Sequence, residues 1–149
     1  MEAITAFLES FDIAELLPEL GAFLSDLRFW AGFFLLIGPL VMLALGLWYF
    51  FLPPKEANHH IGFRCKNGMG SVAAWRYSQR LAGLLYMIVG GALTLLSLIL
   101  IIVMVAAKPM AMATTAVVVM VIQALAALAL WIILQVIIGK HFDKDGNRK

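Results

Sequence analysis

The chain of 149 residues is 63% hydrophobic and 13% charged, with a net charge of +2 and a mean hydropathy of +0.95. So little polar surface cannot coat a water-soluble globule of this size, which excludes a soluble enzyme or a nucleic-acid-binding domain and leaves the lipid bilayer as the main partner. The single cysteine, Cys65, excludes an internal disulfide and any cysteine-based metal cluster.

Residues 1–28 open the chain with an acidic amphipathic pattern. Ile4, Phe7, Leu8 and Phe11, then Ile13, Leu16, Leu17, Leu20, Phe23, Leu24 and Leu27, recur at helical spacings, and Glu2, Glu9, Asp12, Glu15, Glu19 and Asp26 fill much of the remainder. The pattern predicts an interfacial helix on the outer membrane surface, broken or bent near Pro18 and Gly21. Its acidity suits anionic lipid poorly, so docking against the protein's own outer loop or a cationic partner stands beside simple anchoring. The acidic leader and the length of the run that follows argue for a retained span rather than a cleaved signal peptide.

Three apolar runs follow, Phe29–Leu52, Leu81–Ala107 and Ala116–Ile138, none containing a full charge. A helix rising about 1.5 Å per residue needs about 20 apolar residues to cross a hydrocarbon layer about 30 Å thick, and each run is long enough. None has the alternation of a barrel strand. The fold class is therefore all-α, an integral membrane protein with three transmembrane helices behind the interfacial helix. Residues 29–139 form one membrane domain.

The first span is expected to kink near Pro39 and ends in the interfacial cluster Trp48, Tyr49, Phe50 and Phe51, before Pro53 and Pro54. In the second, Gly83, Gly90 and Ser97 recur every seven residues, with Gly91 and Thr94 beside them. This predicts a packing stripe for another helix, against the alternative of glycine scattered by chance in a membrane helix. The short loop Lys108–Ala113 predicts a tight hairpin about residue 110. That register brings Gln123 level with Ser97 and predicts a hydrogen bond from Gln123 to Ser97 or Thr94.

Loop 53–80 between the first two spans contains the turn signal Asn67-Gly68, a candidate N-cap at Ser71 and interfacial anchors at Trp75 and Tyr77. Lys55, Arg64, Lys66, Arg76 and Arg80 lie here, and Lys140, Lys144, Arg148 and Lys149 follow the third span, against Arg28 and Lys108 at the opposite ends. The positive-inside rule places the loop and the tail in the cytoplasm and the N-terminus outside the cell membrane. The tail, residues 140–149, combines mixed charge with Gly146 and is expected to be disordered, a lipid-headgroup tether being the alternative.

Arg64, Lys66, Arg76 and Arg80 form a candidate site for a lipid phosphate or an acidic partner through charge-assisted hydrogen bonds, or serve as ordinary topology anchors. His59, His60 and Cys65 are metal-ligand types, but adjacent histidines rarely share one ion and no second cysteine completes a set, so no metal or cofactor is expected. Glu56 beside the histidines belongs to neither a nucleophile elbow nor an HExxH helix. With no full charge in the spans to form a proton or substrate path, the chain is read as neither enzyme nor transporter.

Pro53, Pro54, Asn58, Gly62, Phe63, Arg64, Met69, Ser71, Trp75, Arg80 and Gly83 follow an order of Pro-rich entry, Asn, Gly-aromatic-Arg, Met, Ser and a Trp leading into a span. On these residues the chain resembles the SdpI family, bacterial multi-pass membrane proteins named for an immunity protein against a secreted killing peptide. Cys65 stands where the family usually has Thr, and Gly68 where it usually has Ser. The resemblance implies an immunity or signalling protein that acts by binding: a toxic peptide from the outer side or within the bilayer, and a cytosolic regulator such as a transcriptional repressor on the Arg64–Arg80 surface. It implies Asn58, Gly62, Phe63, Arg64, Met69, Ser71 and Trp75, with Arg76 and Arg80, as the binding loop. The namesake has further spans that this chain lacks. An accessory subunit of a larger membrane complex, docking through the Gly83, Gly90 and Ser97 stripe, is the alternative, and either reading accommodates a homo-oligomer.

Overall fold

The computed structural model describes residues 13–55, 57 and 61–149. Residues 1–12, with the first part of the expected interfacial helix, and Glu56, Asn58, His59 and His60 lie outside the described residues. Three helices account for most of the fold: α1 Ile13–Phe51, α2 Val72–Met104 and α3 Pro109–His141. All three are long and apolar enough to cross a membrane, and at most 17% of the most apolar stretch of each is buried within the protein. Helices that expose Leu, Ile, Val and Phe on most of their surface need lipid around them.

Of the break or bend expected near Pro18 and Gly21, the break is absent: α1 is one continuous helix from Ile13 to Phe51, through Pro39 as well. Pro18 is the sixth helical residue, where its missing N–H forfeits a single bond to the Ala14 carbonyl, and at Pro39, within the span, an unwound stretch would strand more backbone groups in hydrocarbon than the one bond that proline loses. At the end opposite the long loop, Arg28 Nη2 donates to the Ala107 carbonyl at 2.7 Å, tying α1 to the α2–α3 connection. From Arg28 to Phe51 the helix rises about 36 Å, enough to cross the hydrocarbon layer, and residues 13–27 continue beyond that level in the same helix.

Glycine sets the α1–α2 contact. A Cβ on Gly46 would overlap the Met87 backbone, one on Gly83 the Phe50 backbone, and one on Gly90 the Leu43 backbone. The antiparallel pairs 46/87, 50/83 and 43/90 all follow one register, so the small-residue stripe of α2 lies against α1, which adds a glycine of its own. Ser97 continues the stripe to α3. There Gln123 Nε2 donates to Ser97 Oγ at 3.0 Å and to the Leu35 carbonyl at 3.2 Å, so one amide joins all three helices. The α2–α3 connection is shorter than expected because Pro109 already stands at the first helical position of α3, where its missing N–H is harmless. Even so, α3 packs more extensively on α1 than on its hairpin partner.

The C-terminal tail requires a correction. It is ordered, not disordered. Phe142 is buried, and Asp143 folds residues 143–147 into a turn by accepting from the backbone N–H groups of Asp145 at 3.0 Å and Asn147 at 2.7 Å. Lys149 N then donates to the His141 carbonyl at 3.0 Å. Gly146, at φ +77°, fits so closely against Gly70 and Ser71 that a Cβ would overlap them. The tail lacks an apolar face but satisfies its polar groups against the loop and itself, which composition alone does not reveal.

Candidate functional site

Residues 61–71 of the loop lie between the first turns of α2 and the last turns of α3, and a few side chains hold them there. Ser71 caps α2, its Oγ accepting from Ala74 N at 3.1 Å while donating to the Gly146 carbonyl at 2.7 Å, so one hydroxyl joins helix start and tail. Two turns along, Gln79 is fully buried and pairs with the Phe63 peptide unit. Its Nε2 donates to the Phe63 carbonyl at 2.7 Å and its Oε1 accepts from Phe63 N at 2.8 Å. The amide substitutes for a neighbouring strand and satisfies both backbone groups of a loop residue that no sheet serves.

Glycines let the chain approach that closely. Gly62 takes φ +110° and passes directly over Trp75 and Gln79, where a Cβ would come within 2.9 Å of both. Trp75 is fully buried and its Nε1 donates to the Pro54 carbonyl at 2.9 Å. At the Asn67-Gly68 turn, Gly68 N donates to the Cys65 carbonyl at 3.1 Å, and the absent side chain leaves room for Cys65 Sγ and Ser78 Oγ, themselves 3.6 Å apart. Asn67 Nδ2 donates to the Phe142 carbonyl at 2.7 Å, and Gln135 Nε2 reaches the Arg64 carbonyl at 3.2 Å. Among the described residues no buried side-chain polar atom lacks a partner. Residues 61–71 form a plate pinned by these bonds.

Gly62, Phe63, Ser71 and Trp75 are thus structural parts of that plate, with Met69 half-buried beside them and Asn58 outside the described residues. Gly83, Gly90, Ser97 and Gln123 serve helix packing. The expected cationic cluster is divided. Arg64 is exposed and lines a cavity of about 420 Å³ between α1 and α3 with Tyr49, Tyr86, Phe63 and Trp131. Arg76 and Arg80 lie with Phe50, Tyr77, Leu81 and Leu84 around a separate depression, because they point away from the face of α2 that carries Trp75 and Gln79.

The cavity beside Arg64 continues into a second of about 260 Å³, the two sharing Gly38, Met42 and Ala127. Together they form a groove open to lipid that runs from the loop to mid-span. Gln123 lines its deep end. With Nε2 committed to Ser97 and Leu35, Gln123 Oε1 accepts no hydrogen bond among the described residues; it is accessible from the groove rather than buried, and it lies beside Gly38, whose missing Cβ would be 3.4 Å away. The amide cannot be turned over, because the Leu35 carbonyl only accepts.

Sequence reasoning missed Gln79, Gln135, Tyr86 and the Asp143 turn, and it placed Tyr49 at the membrane boundary without its position beside Arg64 in the cavity. Gln79 had one signal, an uncharged amide in a helical turn otherwise marked by arginine, and Asp143 another, a Gly three residues on. The Asp143 carboxyl is held below the usual carboxylate range, first by the Asn147 backbone N–H and then by further donors of the same turn. No family model, curated protein or solved structure matches the chain.

Proposed function

We propose that this protein is an SdpI-like immunity or signalling protein of a bacterial cell membrane, acting by capturing a membrane-active peptide in the groove between α1 and α3. The observation that carries the reading is Gln123 Oε1. An amide acceptor without a donor is costly at mid-membrane, and here it faces an open apolar groove rather than a packed interface. An occupant that brings a hydroxyl or N–H donor to that depth removes the cost. Gly38 and Ala127 leave the wall low enough for a helix to lie close.

In this reading loop 53–80 and the tail face the cytoplasm, as the excess of Lys and Arg there requires, and the N-terminus is outside. A cytosolic regulator would meet the hydrogen-bonded plate of residues 61–71 and its exposed cations. The accessory-subunit alternative loses its docking face, because Gly83 and Gly90 are already covered by α1.

The test is survival of a sensitive cell expressing the chain when challenged with candidate killing peptides. Protection is expected for wild type and is lost in Ala127→Phe, which fills the groove. Lysis equal to the empty vector removes the reading for those peptides. Orientation is tested separately with Lys144→Cys in a Cys65→Ser background, since Cys65 itself is buried and labels poorly. Labelling by an impermeant reagent only after the membrane is opened is the expected result.

A further inference from the structure

We infer that Arg76 and Arg80 form a headgroup site for one anionic phospholipid in the leaflet at the basic end of the bundle. The two guanidinium groups lie one helical turn apart on α2, both exposed, and neither has an ion pair or hydrogen bond among the described residues. Between them and the membrane, Phe50, Leu81 and Leu84 complete a depression of about 520 Å³.

Its depth follows from the helix register. Gly83 packs against the Phe50 backbone, and α1 ends one residue later in the cluster Trp48, Tyr49, Phe50 and Phe51. Aromatic residues of that kind mark the headgroup boundary. Arg80 therefore stands just outside the hydrocarbon and Arg76 about 6 Å further out, while Leu81 and Leu84 are within it. A phosphate at that level is approached by two planar forks able to bind it bidentately, and the acyl chain below it meets Phe50 and Leu84.

The depression shares no lining residue with the groove beside Arg64, so this site stands independently of peptide capture. A soluble acidic protein would use the guanidinium groups but not the apolar floor beneath them. The floor selects a lipid. A zwitterionic headgroup brings its own cation to the same place and gains less from both arginines.

The experiment is native mass spectrometry of the full-length protein released from phosphatidylcholine nanodiscs containing a minor share of phosphatidylglycerol. Wild type is expected to retain one phosphatidylglycerol per chain in preference to phosphatidylcholine. Each arginine near an anionic surface contributes about a five- to sixfold factor, so R76Q/R80Q lowers retention by about thirtyfold. R76K/R80K, which keeps the charge and the fold but loses the forks, falls between the two. K140Q/K144Q, the same charge change elsewhere at this end, is expected to leave retention at the wild-type level. Equal retention of the two lipids, an unaffected R76Q/R80Q, an equal loss in K140Q/K144Q, or displacement of the lipid by millimolar inorganic phosphate would each overturn the inference.

Discussion

The paired hydrogen bonds between Gln79 and the Phe63 peptide unit give the sharpest test of how the loop is held. Replacing Gln79 with Leu keeps the volume and leaves Phe63 N–H and C=O buried without partners. Stranding a buried donor or acceptor costs about 1–3 kcal/mol, so the pair costs about 2–6 kcal/mol, a large part of the roughly 5–15 kcal/mol that holds a typical domain. The loop should open before the helices separate, because lipid still confines the spans. Cys65, the only cysteine, reports this directly, because its thiol is buried on the inner side of the loop against Ser78. At the lower figure of about 2 kcal/mol its thiol should react with a maleimide about thirtyfold faster in Q79L than in wild type.

Gln79→Glu adds a check of sign. When protonated, the introduced carboxyl can reproduce both bonds, donating to the Phe63 carbonyl and accepting from its N–H, whereas the carboxylate cannot donate. Burial against a carbonyl favours the neutral form and raises the folded-state pKa above the ordinary value of about 4.3. The variant is then closest to wild type below that value, loses stability as pH rises, and reaches a constant deficit above the folded-state pKa. The ratio of its Cys65 labelling rate to that of wild type should rise with pH and level off. A wild-type labelling rate in Q79L, or a ratio in Q79E that ignores pH, would refute the account.

Three further outcomes follow from contacts elsewhere in the bundle. Gly90→Val should cost about 1–3 kcal/mol in detergent unfolding, since its Cβ would overlap the Leu43 backbone, whereas Gly91→Ala, 3.9 Å from a flexible Leu43 Cδ1, should be nearly neutral; equal effects would contradict the seam. Gly146→Val should release the tail and speed tryptic cleavage after Lys144, with left-handed strain alone costing about 1–2 kcal/mol. The Asp143 turn is intact above the ordinary carboxylate range and is lost only as pH falls through the depressed folded-state pKa, so the amide resonances of Asp145 and Asn147 should titrate together below pH 3.8; a midpoint at the ordinary value would sever them from Asp143.

What could be read from the sequence depended on how far each signal reached along the chain. The spans are local, since length and lack of charge settle them. The Ser71 cap is local as well, spanning three residues. The Ser97–Gln123 bond spans 26 residues, yet a four-residue connection leaves only one register available. The tail was misread because its partners Asn67 and Ser71 lie 75 residues away, and mixed charge looks alike whether water or a loop satisfies it. The division of the arginines was hidden for a related reason. Loop and helix residues close in sequence face opposite sides of α2 once Trp75 and Gln79 turn inward.

That inward turn changes what the family resemblance can mean. A binding loop should aim its signature side chains at a ligand, but here Phe63 and Trp75 are buried, Gly62 and Gly68 make room for their neighbours, and Ser71 serves as a cap. Folding alone explains that much of the pattern. Of the loop residues, Arg64 is the one whose exposed side chain borders the groove while its backbone carbonyl is held by Gln135. Two substitutions should therefore part company in a protection assay normalised to the amount of protein in the membrane. Trp75→Phe removes the bond to Pro54 and should reduce abundance while leaving protection per molecule intact. Arg64→Lys keeps the charge and the held backbone but loses the planar fork, so abundance should persist while protection per molecule falls. If Trp75→Phe is the variant that loses protection at normal abundance, the loop itself contacts the ligand, and assigning recognition to the groove is wrong.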